Sequence, residues 1–135
     1  MMATNNYTTG QIYWVNLKQD GHVQGGWHPG IIVQNNVGNF HSKTMSVIPV
    51  TSKKKAKLPT HVFIAKGSCG MPRDSIAQCE GLRPICKSQV GDYIGTADAK
   101  TMKQLAKGCL INTPHLAFLN EGDIAELRDI TETYK

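Results

Sequence analysis

The sequence contains no apolar run approaching the roughly 20 residues that a membrane helix needs. Its N-terminus, MMATNNYTTG, has neither the basic stretch nor the apolar stretch of a secretory signal, so the expectation is a soluble cytoplasmic protein. Ligand signatures are missing too. No C-x-x-C or H-x-x-x-H pair suits zinc, no glycine-rich string makes a phosphate loop, and no G-x-S-x-G string makes a nucleophile elbow. No metal and no cofactor are expected. The four cysteines, Cys69, Cys79, Cys86 and Cys109, come without a secretory signal, and an even count is then no sign of bridges. They read as reduced, mostly buried thiols. Acid is scarce over most of the chain: residues 1–120 hold 13 Lys and Arg against five Asp and Glu, net +8. Residues 121–135 reverse this, with two bases, five acids and a net of −3. A basic body suits a polyanion or an acidic partner, although a modest positive charge also serves solubility alone.

What is present fits one globular domain spanning 1–135: 135 residues, 40% hydrophobic and 19% charged. Gln11 to Leu17 reads as a strand rich in residues that suit a pleated surface. Lys18 to Pro29 carries Asp20-Gly21, Gly25-Gly26 and His28-Pro29 and reads as an exposed loop. Gly30 to Gln34 is a short apolar strand, Asn35 to Asn39 a turn, and Thr44 to Val50 a third strand. Thr60 to Ile64 and Ser75 to Glu80 follow as strands, and Val90 to Gly95 as a strand or a turn. The period then changes: Met102, Leu105, Ala106, Cys109 and Leu110 recur at helical spacing, with Thr96 or Asp98 placed to cap. Thr113-Pro114 suits the start of another helix, and the acidic tail from Glu121 is weakly helical. Strands first and helices last imply a small, strongly bent β-sheet or barrel with appended helices.

Candidate chemistry sits in three segments: Gln24-Gly25-Gly26-Trp27-His28-Pro29, Val50-Thr51-Ser52-Lys53, and Glu80-Gly81-Leu82-Arg83. Lys53, Lys54, Lys55 and Lys57 directly follow Thr51, as a phosphate track would, or else form a solvated loop. Trp27, in a glycine-rich segment, is placed to stack on a base or to pack on a partner.

These segments carry a resemblance. Gly10 to Leu17, Gly25-Gly26-x-x-Pro29, Ile31 to Asn35, Pro49 to Ser52, Lys57 to Val62, Arg73-Asp74-Ser75 and Glu80 to Arg83 stand in the order found in the MazF/PemK toxins. Ile94-Gly95 and the helix Ala97 to Leu110 continue it, so that roughly residues 10–112 are covered and 113–135 form a C-terminal extension. The resemblance implies an SH3-like small β-barrel that pairs as a homodimer, burying Tyr13 or Trp14. It also implies a toxin that cuts single-stranded mRNA at short sequences without metal. The 2′-hydroxyl attacks the adjacent phosphate, leaving a cyclic phosphate and a 5′-hydroxyl, and a small acidic antitoxin occupies the RNA groove.

The family's main catalytic pair is an Arg before the loop proline and a Thr after the third strand. Thr51 matches the Thr; the Arg position holds His28. Imidazole shuttles protons near neutral pH far better than guanidinium, so His28 is the candidate general base or acid, with Thr51 on a phosphoryl oxygen. The bland alternative is weakened catalysis with His28 a mere loop residue. Arg83 is the candidate for the lost permanent charge, or else pairs with Glu80. By the same resemblance Gln24, Gly25, Gly26, Asn35, Ser52, Ser75 and Glu80 join Trp27, Lys53, Lys54 and Arg83 along the RNA path. Gly81 stands where many relatives have Gln, and His61 is expected to be structural. Two other readings stay open: a non-cleaving RNA- or antitoxin-binding module of the same fold, and a gyrase-poisoning toxin. The acidic tail is either an internal mimic of RNA or antitoxin, or a helix docked through Ile124, Leu127 and Ile130.

Overall fold

The computed structural model describes residues 6–18, 25–52 and 57–135. Seven strands make one antiparallel sheet: β1 (Gln11–Leu17), β2 (Gly26–Ile32), β3 (Thr44–Thr51), β4 (His61–Ile64), β5 (Ser75–Gln78), β6 (Arg83–Cys86) and β7 (Val90–Thr96). The order is β4-β5-β3-β2-β1-β7, with β6 beside the first half of β3. No pairing joins β4 to β7 among the described residues, so the expected small barrel takes the form of an open sheet.

Alternation along the central strands gives the sheet two buried faces. Ile12, Ile31 and Ile48 lie in register across β1, β2 and β3 and pack with Val50, Val62, Ile64 and Ala77. The intervening residues, Val15, Leu17, Ile32 and Val47, face the other way and pack with Met45 and Ile85. Because side chains alternate, a one-residue slip would turn both apolar sets outward at once, and this fixes the register. Helix α2 (Ala99–Asn112) covers the first cluster through Leu105. Its N-cap is Asp98, whose carboxylate accepts the Thr101 amide at 2.8 Å.

Three local expectations are corrected, and one strand is new. Gly26 to Pro29 are not loop but the first half of β2, paired with Leu17 to Trp14 of β1. Pro29 is tolerated there because β3 joins β2 only from Gly30 onward. The turn at Asn35 to Asn39 belongs to a short helix, α1 (Asn36–His41), capped by the Asn35 side chain on the Gly38 amide at 2.8 Å. Residues 83–86 form β6, where Pro84 faces Ser46 on a strand with a free edge. The strand from Ser75 stops at Gln78, and Cys79–Gly81 is a 3-10 turn.

Beyond α2, Thr113-Pro114 leads into a 3-10 turn, His115–Phe118, and then helix α3 (Glu121–Tyr134). Asn120 and Asp123 close a reciprocal capping box at the start of α3. No residue of α3 is buried, so the tail is helical but not docked on the sheet. The cysteines are all free, but only Cys79 is buried; Cys86 is exposed. Burial, with Cys109 alongside, pushes the Cys79 thiol up to about 12, which keeps it an inert thiol.

Candidate functional site

A cleft of about 490 Å³ opens where β2 and β3 leave the paired region. His28 and Pro29 come from β2, Val50 and Thr51 from β3, and Ser52 from the residue after it. Ser75 starts β5, and Trp14 comes from β1 and Trp27 from β2. The β3–β5 register sets Thr51 opposite Ile76, which brings Met71, Pro72 and Arg73 from the preceding segment to the cleft wall beside Ser75. Arg73 thereby becomes the cation of the cleft among the described residues. It is exposed and has no acidic partner among the described residues.

Each polar group is held by its neighbours. His28 Nε2 lies 3.1 Å from the Gly25 carbonyl oxygen. A carbonyl only accepts, so Nε2 carries the proton, and in the neutral ring the lone pair is on Nδ1. Ser75 Oγ donates to the Arg73 carbonyl at 2.8 Å, and Asp74 Oδ1 accepts the Lys66 amide at 2.8 Å, which together set the turn that presents Arg73. Thr51 is 4% exposed and lies within β3. The catalytic candidates therefore sit on strands, where the sheet fixes their separation, rather than on free loops.

Trp27 is 56% exposed. Its six-membered ring rests on Gly91 of β7, where a side-chain carbon would come within 2.9 Å of Trp27 Cζ3. Gly91 thus seats the indole and leaves its outer face open. Trp14 shares this wall, at 36% exposure, and was not legible as a site residue. Its signal is the alternation of β1, which puts it on the face of Ile12 but past the edge of the core. Arg73 was legible only as part of the Arg73-Asp74-Ser75 string.

The remaining candidates lie elsewhere. Glu80, Gly81 and Arg83 line a second groove, of about 570 Å³, along β6 with Leu17, Lys18 and Gln89. Glu80 does not pair with Arg83. Its two oxygens take His61 Nε2 at 2.8 Å and Thr60 Oγ1 at 3.0 Å. Burial pushes the Glu80 carboxyl up, but its backbone hydrogen bond and those from His61 and Thr60 outweigh this and hold it below the usual range. Arg83 Nε donates to the Gly81 carbonyl at 3.2 Å. Gly81 sits so near Pro49 that a side-chain carbon there would lie 2.9 Å from Pro49 Cγ, and this accounts for glycine at a position where Gln was expected. Asn35 is occupied as the cap of α1. His61, nearly buried and bound to Glu80, has the structural role expected of it. Gln24, Lys53, Lys54 and Lys55 lie outside the described residues. Among those described, no three His, Cys, Asp or Glu side chains cluster as metal ligands, and no carboxylate lines the cleft.

The comparisons with known proteins agree with this architecture. Residues 8–111 match the family of PemK-like, MazF-like toxins of type II toxin–antitoxin systems. This chain belongs to that family. It is 35% identical over 111 residues to Endoribonuclease EndoA of Bacillus subtilis, covering 81% of this chain and 96% of that protein. It is also 35% identical over 98 residues to Endoribonuclease MazF of Staphylococcus saprophyticus, covering 71% and 82%. The crystal structure of MazF from Deinococcus radiodurans overlays with a TM-score of 0.71 at 22% identity, over 80% of this chain and 96% of that one. A mycobacterial endoribonuclease in complex with its cognate antitoxin overlays with a TM-score of 0.65 at 24% identity, over 78% and 93%. Helix α3 lies outside the part of this MazF-like chain that matches the family.

Proposed function

We propose that this chain, an endoribonuclease of the MazF-like toxins, cleaves single-stranded RNA at a short sequence by 2′-hydroxyl attack in the cleft of His28, Thr51 and Arg73. The observation that supports it best is the division of labour there. With the Nε2 proton held by the Gly25 carbonyl, Nδ1 of His28 is the nitrogen that accepts the 2′-hydroxyl proton. As that proton leaves, the 2′-oxygen bonds to phosphorus and charge grows on the phosphoryl oxygens. Arg73 supplies the permanent positive charge opposite them, with the hydroxyls of Thr51 and Ser52 on the same wall. The bond from phosphorus to the 5′-oxygen then breaks. In-line displacement puts that oxygen on the side away from His28, so it takes its proton from water. The products are a 2′,3′-cyclic phosphate and a 5′-hydroxyl. Trp27 offers its open face to a neighbouring base.

The basic body, net +8 over residues 1–120, suits both RNA and an acidic antitoxin competing for the same surface. A homodimer and a cytoplasmic location belong to the same reading; among the described residues no helix is long and apolar enough to cross a membrane. The test is incubation of purified protein with mixed-sequence RNA in EDTA, followed by mapping of the cut ends. Cuts that persist and carry 5′-hydroxyls support the reading. A strict need for magnesium, 5′-phosphate ends, or trapping of DNA breaks with gyrase instead of RNA cleavage would overturn it.

A further inference from the structure

Trp27 reaches past the strand next to its own. β2 pairs it with Asn16 of β1, and residues directly opposite share a face, so Trp27, Pro29, Trp14 and Asn16 leave the same side of the sheet. From there the indole crosses β1 and ends on Gly91 of β7. Two features build that resting place. β7 carries an extra residue: Tyr13 faces Tyr93 and Val15 faces Val90, so Gly91 and Asp92 together stand opposite Trp14. Such a bulge re-aims what lies on it. The residue it brings to the ring is a glycine. A side-chain carbon on Gly91 would lie 2.9 Å from Trp27 Cζ3, whereas the nearest backbone atom, the Trp14 carbonyl oxygen, would be an ordinary 3.4 Å away. The indole alone forbids a side chain there. The seat is also braced. Gln89, just before β7, donates from Nε2 to the Asn16 carbonyl at 2.7 Å, and its Oε1 accepts the Cys86 amide at 2.8 Å.

We infer that Gly91 is a positioning residue for RNA recognition: it seats Trp27 so that the cleft requires a base at one nucleotide beside the cut without reading which base it is. The inference rests on the RNA-cleaving reading of the cleft. The polar groups there, on His28, Thr51, Ser52 and Arg73, are directed in that reading to the 2′-hydroxyl and the phosphate. What the wall offers a base is the indole, 56% exposed. Every base has a π-face, so stacking rewards its presence and is nearly blind to its identity. A ring already held against β7 also loses less freedom when RNA binds than one that must first be ordered. The recognition site therefore contains one position that tolerates any base but not the lack of one.

Binding of an RNA that carries the mapped cut site, made non-cleavable by a 2′-deoxyribose there, tests this with full-length protein. At one nucleotide beside the cut, native protein should accept all four bases within about threefold, while an abasic nucleotide should weaken binding about fivefold or more. Gly91→Ala and Trp27→Ala should each weaken binding of the intact RNA by a similar factor and abolish the abasic penalty. The double variant should be no worse than either single one, because both break one interaction. A readout without RNA tests the seat itself: in a Trp14→Phe background, Gly91→Ala should shift the fluorescence of Trp27 and its quenching by acrylamide. Circular dichroism checks that Gly91→Ala is folded; if it is not, the abasic scan on Trp27→Ala decides alone. Additive losses, an abasic penalty that persists in the variants, strong discrimination among the four bases at that nucleotide, or unchanged Trp27 fluorescence would overturn the inference. Any of these alongside RNA cleavage that persists in EDTA overturns the inference alone. Absence of RNA cleavage by the native protein overturns the reading beneath it.

Discussion

The cleft at the end of β3 and the groove along β6 hold the same kinds of side chain, yet they differ in what those side chains are doing. Along β6, Arg83 donates to the Gly81 carbonyl, and Glu80 is bound by His61 and Thr60. The polar atoms there are committed to holding the turn at Cys79–Gly81 and the start of β4. In the cleft, Arg73 has no acidic partner among the described residues, and His28 uses one ring nitrogen on its own segment. Charges already satisfied inside a protein stabilise the fold, and unsatisfied ones facing a cleft are available to a ligand. On the proposed reading, the chemistry belongs to the cleft and the framework to the groove.

The comparison breaks most sharply at His28. Replacing it with Ala should lower the RNA cleavage rate by about 10² or more with the fold intact, because it lies half-buried in the first half of β2. Thr51→Ala should have a similar effect on rate but also reduce thermal stability, since Thr51 is buried within β3; measuring both separates the two losses. If both variants retain full activity, the cleft is not the reaction site.

The two arginines give the next contrast. Arg73→Ala should reduce the rate about 10²-fold through lost charge stabilisation, whereas Arg83→Ala should change it by less than about tenfold. Equal losses would erase the distinction between the two grooves. Trp27→Ala should weaken binding of a non-cleavable RNA by about 1–3 kcal/mol, the usual range for one stacked base, with kcat nearly unchanged. A loss of kcat alone would mean that the indole positions His28 rather than RNA.

The smallest effect concerns the groove. Glu80 is held below the ordinary carboxylate range, so its contribution to stability is complete above the unfolded pKa and is lost as pH falls through the lower folded one. Thermal denaturation across the acid range should therefore show a decline that Glu80→Gln flattens, with RNA cleavage at neutral pH little altered.

Much of the fold was legible because its signals are periodic. β1 and β4 alternate, β3 ends in a continuous buried run, and Met102, Leu105 and Cys109 keep helical spacing on α2. The misreadings have common causes. Gly26 and Pro29 hid the first half of β2, and Pro84 hid β6, because neither strand has a partner on both sides at those residues. Helix α1 has six residues and an internal glycine, too few to show a period. At the site, His28, Thr51, Ser52, Ser75 and Trp27 were named and do line one cleft. Of the two alternatives for Arg83, the pairing with Glu80 does not form, since Glu80 is directed to His61 instead. Arg73 was named only within the Arg73-Asp74-Ser75 string, because its place in the cleft comes from the β3–β5 register, a long-range pairing that no local pattern reveals.

A histidine stands where the family's arginine was expected, and the pH dependence of kcat/KM tests its proposed role most directly. Native protein and His28→Arg should be measured on the same single-stranded RNA in EDTA. If His28 Nδ1 accepts the 2′-hydroxyl proton, native activity falls on acidification as the imidazole becomes charged, and the arginine variant loses that limb and moves its optimum to higher pH. Superimposable profiles for the two proteins would contradict the account.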